Sequence, residues 1–252
     1  VNALESGNVM QPNDLFSINL FGLVFPISDS IVMMWIIMAI IIVLALIFAR
    51  NLKTIPTGKQ NVVEIVVETV NKLIKGNIGH HWRPFAPYFG TILLFLVFAN
   101  TIGVFNIFPT FEELYKWTGF EFFEKVSHFE IVPPTKDLNI TLTMALMTVF
   151  LILFSGIRYK GFKGWLGSFL KPTPIMLPFH ILDYGTRTLS LSLRLFGNIL
   201  AGYIIVEMVY SASLAIKPVL PIASAFFDLF DAGLQAYIFV FLSSIYISEA
   251  IE

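Results

Sequence analysis

Apolar positions in this chain come in continuous runs, where a soluble protein would interrupt them with polar residues. From Ile31 to Ala49 no charged residue intervenes, enough for a helix crossing a bilayer, which takes about 20 residues. A second run covers 84–109 with Asn100 inside it, and a third covers 138–157, opened by Asp137 or Asn139 as helix cap. Beyond Pro172 and Pro174, long runs cover 175–216 and 219–251, with Lys217-Pro218 between them. At about 1.5 Å per residue an unbroken helix over 175–216 is about 63 Å long, twice a hydrocarbon core of about 30 Å. Either the run breaks, or the last two segments form a long, strongly tilted helical hairpin turning at Lys217-Pro218.

Residues 60–76 follow another pattern. Apolar residues recur there at helical spacing, with Glu64, Glu68, Lys72 and Lys75 between them. This predicts an amphipathic helix on the membrane surface; a helix packed on a soluble partner fits the same pattern. The expected fold is an all-α membrane protein, a single polytopic domain over 1–252. It has five hydrophobic segments and one surface helix.

Composition agrees. Apolar residues make up 56% of the 252 and charged residues 13%, against about 25% charged in soluble domains. Mean hydropathy is +0.79. A transmembrane barrel is excluded because its strands alternate. The net charge of −1 and the lack of a basic block give no sign of nucleic acid. With no cysteine, thiolate chemistry and cysteine metal sites are excluded. Residues 1–28 lack the basic start and cleavage site of a signal peptide, and Val1 suggests a missing initiator methionine or short segment.

Lysines and arginines set the orientation. Arg50, Lys53, Lys59, Lys72, Lys75 and Arg83 lie in one loop, and Arg158, Lys160, Lys163 and Lys171 in another. The segment 1–28 has none, and in the loop 110–137 acids outnumber lysines. The basic loops are therefore expected inside, and 1–28 and 110–137 outside. Five segments then leave the C-terminus cytoplasmic.

One charge stands out. The stretch TLSLSLRLFGNILAG, from Thr188 to Gly202, is apolar or hydroxylic except for Arg194 and Asn198. A charge at bilayer depth costs about 2.5–3.5 kcal/mol on insertion scales, so such a residue marks a function. Taking about 100° per residue from Arg194, Arg187 falls near 20°, Asp183 near −20°, His180 and Asn198 near 40°, and Ser190 near −40°. These residues share one stripe, while Glu207 lies near 220°, on the other side. In the last segment Asp228, Asp231, Gln235, Tyr246 and Glu249 lie within about 60° of one another. Two polar stripes in embedded helices suggest the walls of aqueous routes.

Plainer readings exist for most of these residues. Asp183 and Arg187, four apart, fit a local ion pair. His180 fits the headgroup level, Asn198 and Gln235 fit interhelical contacts, and Asp228 and Asp231 fit a helix cap. Tyr246 and Glu249 fit the interface. Arg194 has no acid three or four residues away.

Leu193-Arg194-Leu195-Phe196-Gly197-Asn198, continuing to Ala201-Gly202, resembles the signature of subunit a of F-type ATP synthases. Gln235-Ala236-Tyr237-Ile238-Phe239 resembles that family's last-helix motif, and Pro134 to Thr141, PTKDLNIT, resembles the start of its preceding span. The likeness extends over nearly the whole chain. It implies two tilted helices against a ring of c subunits bearing carboxylates, together with a b-subunit stator stalk, in the inner (plasma) membrane of a bacterium. Arg194 would separate a pair of aqueous half-channels for H⁺ or Na⁺, with Gln235 beside it. The implied route from outside runs through Glu207, Asp228 and Asp231 to the ring, then past Ser190, Asp183 and His180 to the cytoplasm.

Two positions depart from the family pattern. Tyr203 stands nine residues after the arginine, where the family has Glu or His, and Glu207 is expected to take that role. His180 stands where a Glu is common, with Asp183 on the same stripe. The chain is expected to be non-catalytic alone and to need no cofactor or metal. A secondary transporter binding an anionic solute at Arg194 predicts an internal repeat, and none is visible. An intramembrane hydrolase would have to rely on Ser190 or Ser192 with His180.

Overall fold

The computed structural model describes residues 14–20, 23–50, 53, 58–102, 133–169, 175, 177–211, 222 and 225–251. The expected loop at 110–137 and the expected turn at Lys217-Pro218 lie largely or wholly outside them. The elements in chain order are β1 (Asp14–Leu20), β2 (Leu23–Ser28), α1 (Asp29–Ala49), α2 (Lys59–Ile78), α3 (Ala86–Thr101), α4 (Leu138–Phe169), α5 (Leu177–Ser211) and α6 (Ala232–Ile251). A π-helical turn, Ala225–Asp231, leads into α6.

The N-terminal segment departs from an all-α expectation. β1 and β2 pair antiparallel, with Leu20 opposite Leu23 and Asp14 opposite Ser28. The sequence signal is short: Phe16-Ser17-Ile18-Asn19-Leu20 alternates, and Ser17 and Asn19, two residues apart on one face, are exposed.

Among the described residues four helices are long and apolar enough to cross a membrane: Asp29–Ala49, Leu138–Gly167, Leu177–Ile205 and Leu229–Ile251. Ala86–Thr101 is apolar but shorter; its 16 residues rise about 24 Å, less than a hydrocarbon core of about 30 Å. The described residues thus hold four helices of bilayer length and the first part of the expected second span, whose remainder, 103–109, lies outside them. The third run is also longer than expected. Helix continues past residue 157 through the basic segment to Phe169, broken only at Gly161. Gly161 has φ 72° and ψ 156°, a conformation essentially reserved for glycine. There α4 turns and starts a second helical piece.

The chain divides into two compact units. One comprises Val1–Ile41, Phe95–Asp137 and Phe196–Leu234. Within it Met33 and Ile37 of α1, Leu96 and Ala99 of α3, and Ile199 and Leu200 of α5 are buried. Asn100 has a role here: Thr135 Oγ1 donates to its Oδ1 at 2.6 Å, with both residues buried. This bond pins the tight turn Pro134–Lys136, and Lys136 lays its ammonium 3.5 Å from the centre of the Tyr203 ring.

The other unit comprises Ile42–Leu94, Leu138–Leu195 and Gln235–Glu252. α2 buries Val70, Ile74 and Ile78 on one face and leaves Val62, Ile65, Val66 and Val67 exposed. Phe89 of α3, Ile152 of α4, Leu191 of α5 and Phe239 of α6 are among its fully buried side chains. Polar pairs join the helices: Asn77 to Ser244 at 2.6 Å, Tyr88 to Thr148 at 3.3 Å, and Thr141 to Ser192 at 3.5 Å. Such contacts contribute on the order of 0.6 kcal/mol each in a membrane.

Candidate functional site

α5 has two faces. In the stretch before Phe196, Thr188, Leu191, Ser192 and Leu195 are buried, while Phe179, Leu182, Thr186, Leu189, Ser190, Leu193 and Arg194 are exposed. The exposed positions recur every three or four residues, so they form one stripe on a 3.6-residue helix. Arg194 lies on that stripe among leucines, and none of the described ion pairs includes it. Gly197, next along, is exposed, and a Cβ added there would meet no described atom within 4 Å beyond its neighbours and its own helix backbone.

The N-terminal half of α5 carries the best-defined polar cluster. Arg187 Nη2 lies 2.8 Å from Asp183 Oδ2, one turn earlier, and its Nη1 lies 2.7 Å from Glu249 Oε2 on α6. The guanidinium carbon sits 4.5 Å from the centre of the Tyr246 ring, a cation–π distance. Beside these groups is a cavity of about 260 Å³, lined by Lys160, Trp165, His180, Asp183, Arg187 and Glu249 among others.

α4 builds the far wall through its break. After Gly161 the second helical piece brings Trp165 back over Gly156, where a Cβ would stand 2.8 Å from Trp165 Cδ1. Lys160 precedes the break and faces the same cavity.

The structure thus brings His180 and Asp183 to one cavity, and Asp183 takes the local-pair reading with Arg187. Ser190 is exposed on the stripe of Arg194. Gln235 is 4% exposed, and its Nε2 has no hydrogen-bond partner among the described residues. It is therefore an interior group, whereas Arg194 is an exposed one.

Asn198 and Asp231 belong to the other unit and are half-buried. Glu207 lies on α5 and Asp228 in the π turn, with their side chains outside the described residues. The π turn changes the winding of the backbone that carries Asp228 and Asp231. Bonding from i to i+5 winds more residues into each turn, so the 100° spacing assumed for that stripe does not hold over Ala225–Asp231.

In the sequence Glu249 and Tyr246 stand on the polar stripe of the last segment, with the interface as their plainer reading, while Lys160 bears only on orientation and Trp165 carries no signal. The available signal was the shared stripe of Arg187, Asp183 and His180, together with Glu249 and Tyr246 one turn apart.

A Ser–His hydrolase is disfavoured. Ser192 is buried beside Thr141, and Ser190 lies ten residues, about 15 Å along the axis, from His180. Among the described residues no group of three or more His, Cys, Asp or Glu could hold a metal.

Long apolar helices, a charged group on an exposed apolar stripe and a polar cavity define a multi-pass membrane protein. The sequence model of the ATP synthase A chain family matches residues 31–248, and the chain belongs to that family, subunit a of the F-type ATP synthases. Membership gives it the subunit a role in the membrane sector and implies a complex with the c-ring and the other synthase subunits.

Proposed function

We propose that this chain forms two aqueous half-channels that carry H⁺ or Na⁺ to and from carboxylates of the c-ring, with Arg194 between them. The observation that carries this reading is the exposure of Arg194 on a stripe that otherwise bears mainly apolar side chains. Facing lipid, that charge costs several kcal/mol; facing a passing carboxylate, it is compensated. The guanidinium favours the ionised carboxylate, so an ion leaves the ring as it passes. As a fixed cation it also repels cations that would leak from one half-channel to the other. Each ion crossing releases about 2.3 kcal/mol per 100 mV, which drives rotation.

In this reading Glu207, Asp228 and Asp231 serve the outer route, and Ser190, Asp183 and His180 the inner one. Asn198 and Gln235 line the region of the arginine. Basic residues put 50–83 and 158–171 on the cytoplasmic side and the N-terminus outside, in a bacterial plasma membrane. The stator b subunit is a further partner. Leu193→Cys tests the ring contact, since the chain has no cysteine of its own. Oxidation of the assembled complex is expected to cross-link Leu193→Cys to a cysteine placed on the ring's outer helix. Failure at Leu189→Cys and Leu193→Cys alike, in a complex that still carries the ring, contradicts the proposed face.

A further inference from the structure

The cavity beside Arg187 is charge-balanced, with Lys160 and Arg187 against Asp183 and Glu249. Its two carboxylates are both held by one guanidinium, at 2.8 and 2.7 Å. The Arg187 side chain is 21% exposed, while those of Asp183 and Glu249 are 48% and 51% exposed. Pairs this wet exchange readily, because water replaces each partner at little cost. With Arg187 on both carboxylates the cavity offers an incoming cation no bare anion. When either pair opens, it does. Tyr246, under the guanidinium, gives Arg187 a seat that does not depend on Glu249.

We propose that Glu249 is a relay carboxylate of the inner ion route and that Arg187 is the latch that releases and recaptures it. The proposal rests on the reading of this chain as an ion route. For a proton the step balances simply. H₃O⁺ transfers a proton to Glu249 Oε2 and leaves as water, and the neutral carboxyl lets go of Arg187, which keeps Asp183. Loss of the proton to the next water restores the carboxylate and the pair. For Na⁺ the carboxylate binds the ion with no bond broken except the ion pair. The other groups facing this pair are Lys160, His180, Tyr184 and Tyr246. Glu249 thus brings to the inner route an acid from a helix other than the one bearing His180 and Asp183.

The test uses the whole complex in vesicles, with ATP-driven ion uptake measured against pH, with and without Na⁺. Glu249→Gln is expected to slow uptake about tenfold, the low end of what a lost proton-transfer group costs, and to shift the pH profile. Glu249→Asp is expected to recover most of the rate. A second measurement reads the latch without relying on the pumping rate. Ala250→Cys, on the cavity wall, reacts with cationic and neutral thiol reagents of equal size. Adding Arg187→Gln is expected to raise the cationic-to-neutral rate ratio about tenfold, as unmasked anions concentrate cations.

An unchanged ratio overturns the latch. Wild-type uptake and an unshifted profile in Glu249→Gln overturn the relay, as does a slow variant that Glu249→Asp does not rescue. If these results come while Arg194→Ala abolishes uptake, the ion-route reading stands without this inference. If Arg194→Ala pumps like the wild type, the ion-route reading itself fails.

Discussion

Arg187 Nη1 meets Glu249 Oε2 at 2.7 Å and so ties α5 to α6, while its other nitrogen holds Asp183 on its own helix. Neither acid belongs to the motifs that mark the family in the sequence. Both carboxylates are about half exposed, so the tie orients the helices more than it stabilises them. A double-mutant cycle with Arg187→Met and Glu249→Gln is expected to give a coupling of about 0.5–1 kcal/mol. Thermal unfolding of the detergent-solubilised protein checks it, and additive effects would mean that the pair does not form.

Gly161 governs where the cavity wall stands. Its φ of 72° with ψ of 156° costs a residue bearing a Cβ about 1–3 kcal/mol. Gly161→Val is expected to straighten α4 and draw Trp165 off Gly156. Trp165 is one of four tryptophans, so its emission can be followed after replacing the other three with Phe. A shift to the red in Gly161→Val, absent in Gly164→Ala, is the expected outcome.

The buried bond from Thr135 to Asn100 gives a third prediction. Thr135→Val leaves the Asn100 amide buried without this partner, at an expected cost of about 1–3 kcal/mol. Asn100→Leu with Thr135→Val removes both polar groups and is expected to recover some of that loss. Protease susceptibility at increasing temperature orders the three proteins, and the single variant is expected to be the least resistant.

Gly197 separates folding from assembly. Among the described residues, no atom beyond its chain neighbours and its own helix backbone lies within 4 Å of a Cβ built there, so Gly197→Leu is expected to fold and insert normally. If the stripe of Arg194 faces the ring, the added side chain occupies the space the ring needs. ATP-driven pumping is then expected to fall sharply while the amount of inserted subunit is unchanged. Full pumping would place the ring elsewhere.

The long helices were legible because an apolar run of bilayer length has few other folds open to it. The helix expected to carry the polar stripe was legible for the same reason, and it runs unbroken over Leu177–Ser211. Four features were not. The β1–β2 hairpin rests on a five-residue alternation too short to outweigh its mixed surroundings. The helix after Gly161 was hidden because Arg158, Lys160 and Lys163 read as a loop, whereas long basic side chains can let their apolar stems lie on a surface. The π turn at Ala225–Asp231 changes the winding without changing composition, so no periodicity argument fixes where Asp228 points. Glu249 stands on the expected polar stripe of the last segment, but its pairing with Arg187 was not legible, because pairing across helices has no sequence period.

The central claim concerns Arg194, and ATP-driven ion uptake by the reconstituted complex with Arg194→Ala tests it most directly. Uptake is expected to be abolished in the variant while the assembled complex retains its ring. Running the wild type with and without Na⁺ identifies the ion in the same experiment. Undiminished, coupled uptake in Arg194→Ala would contradict the account. Arg187, the other arginine of α5, is held by two carboxylates and cannot stand in for the exposed cation that the proposal needs between its half-channels.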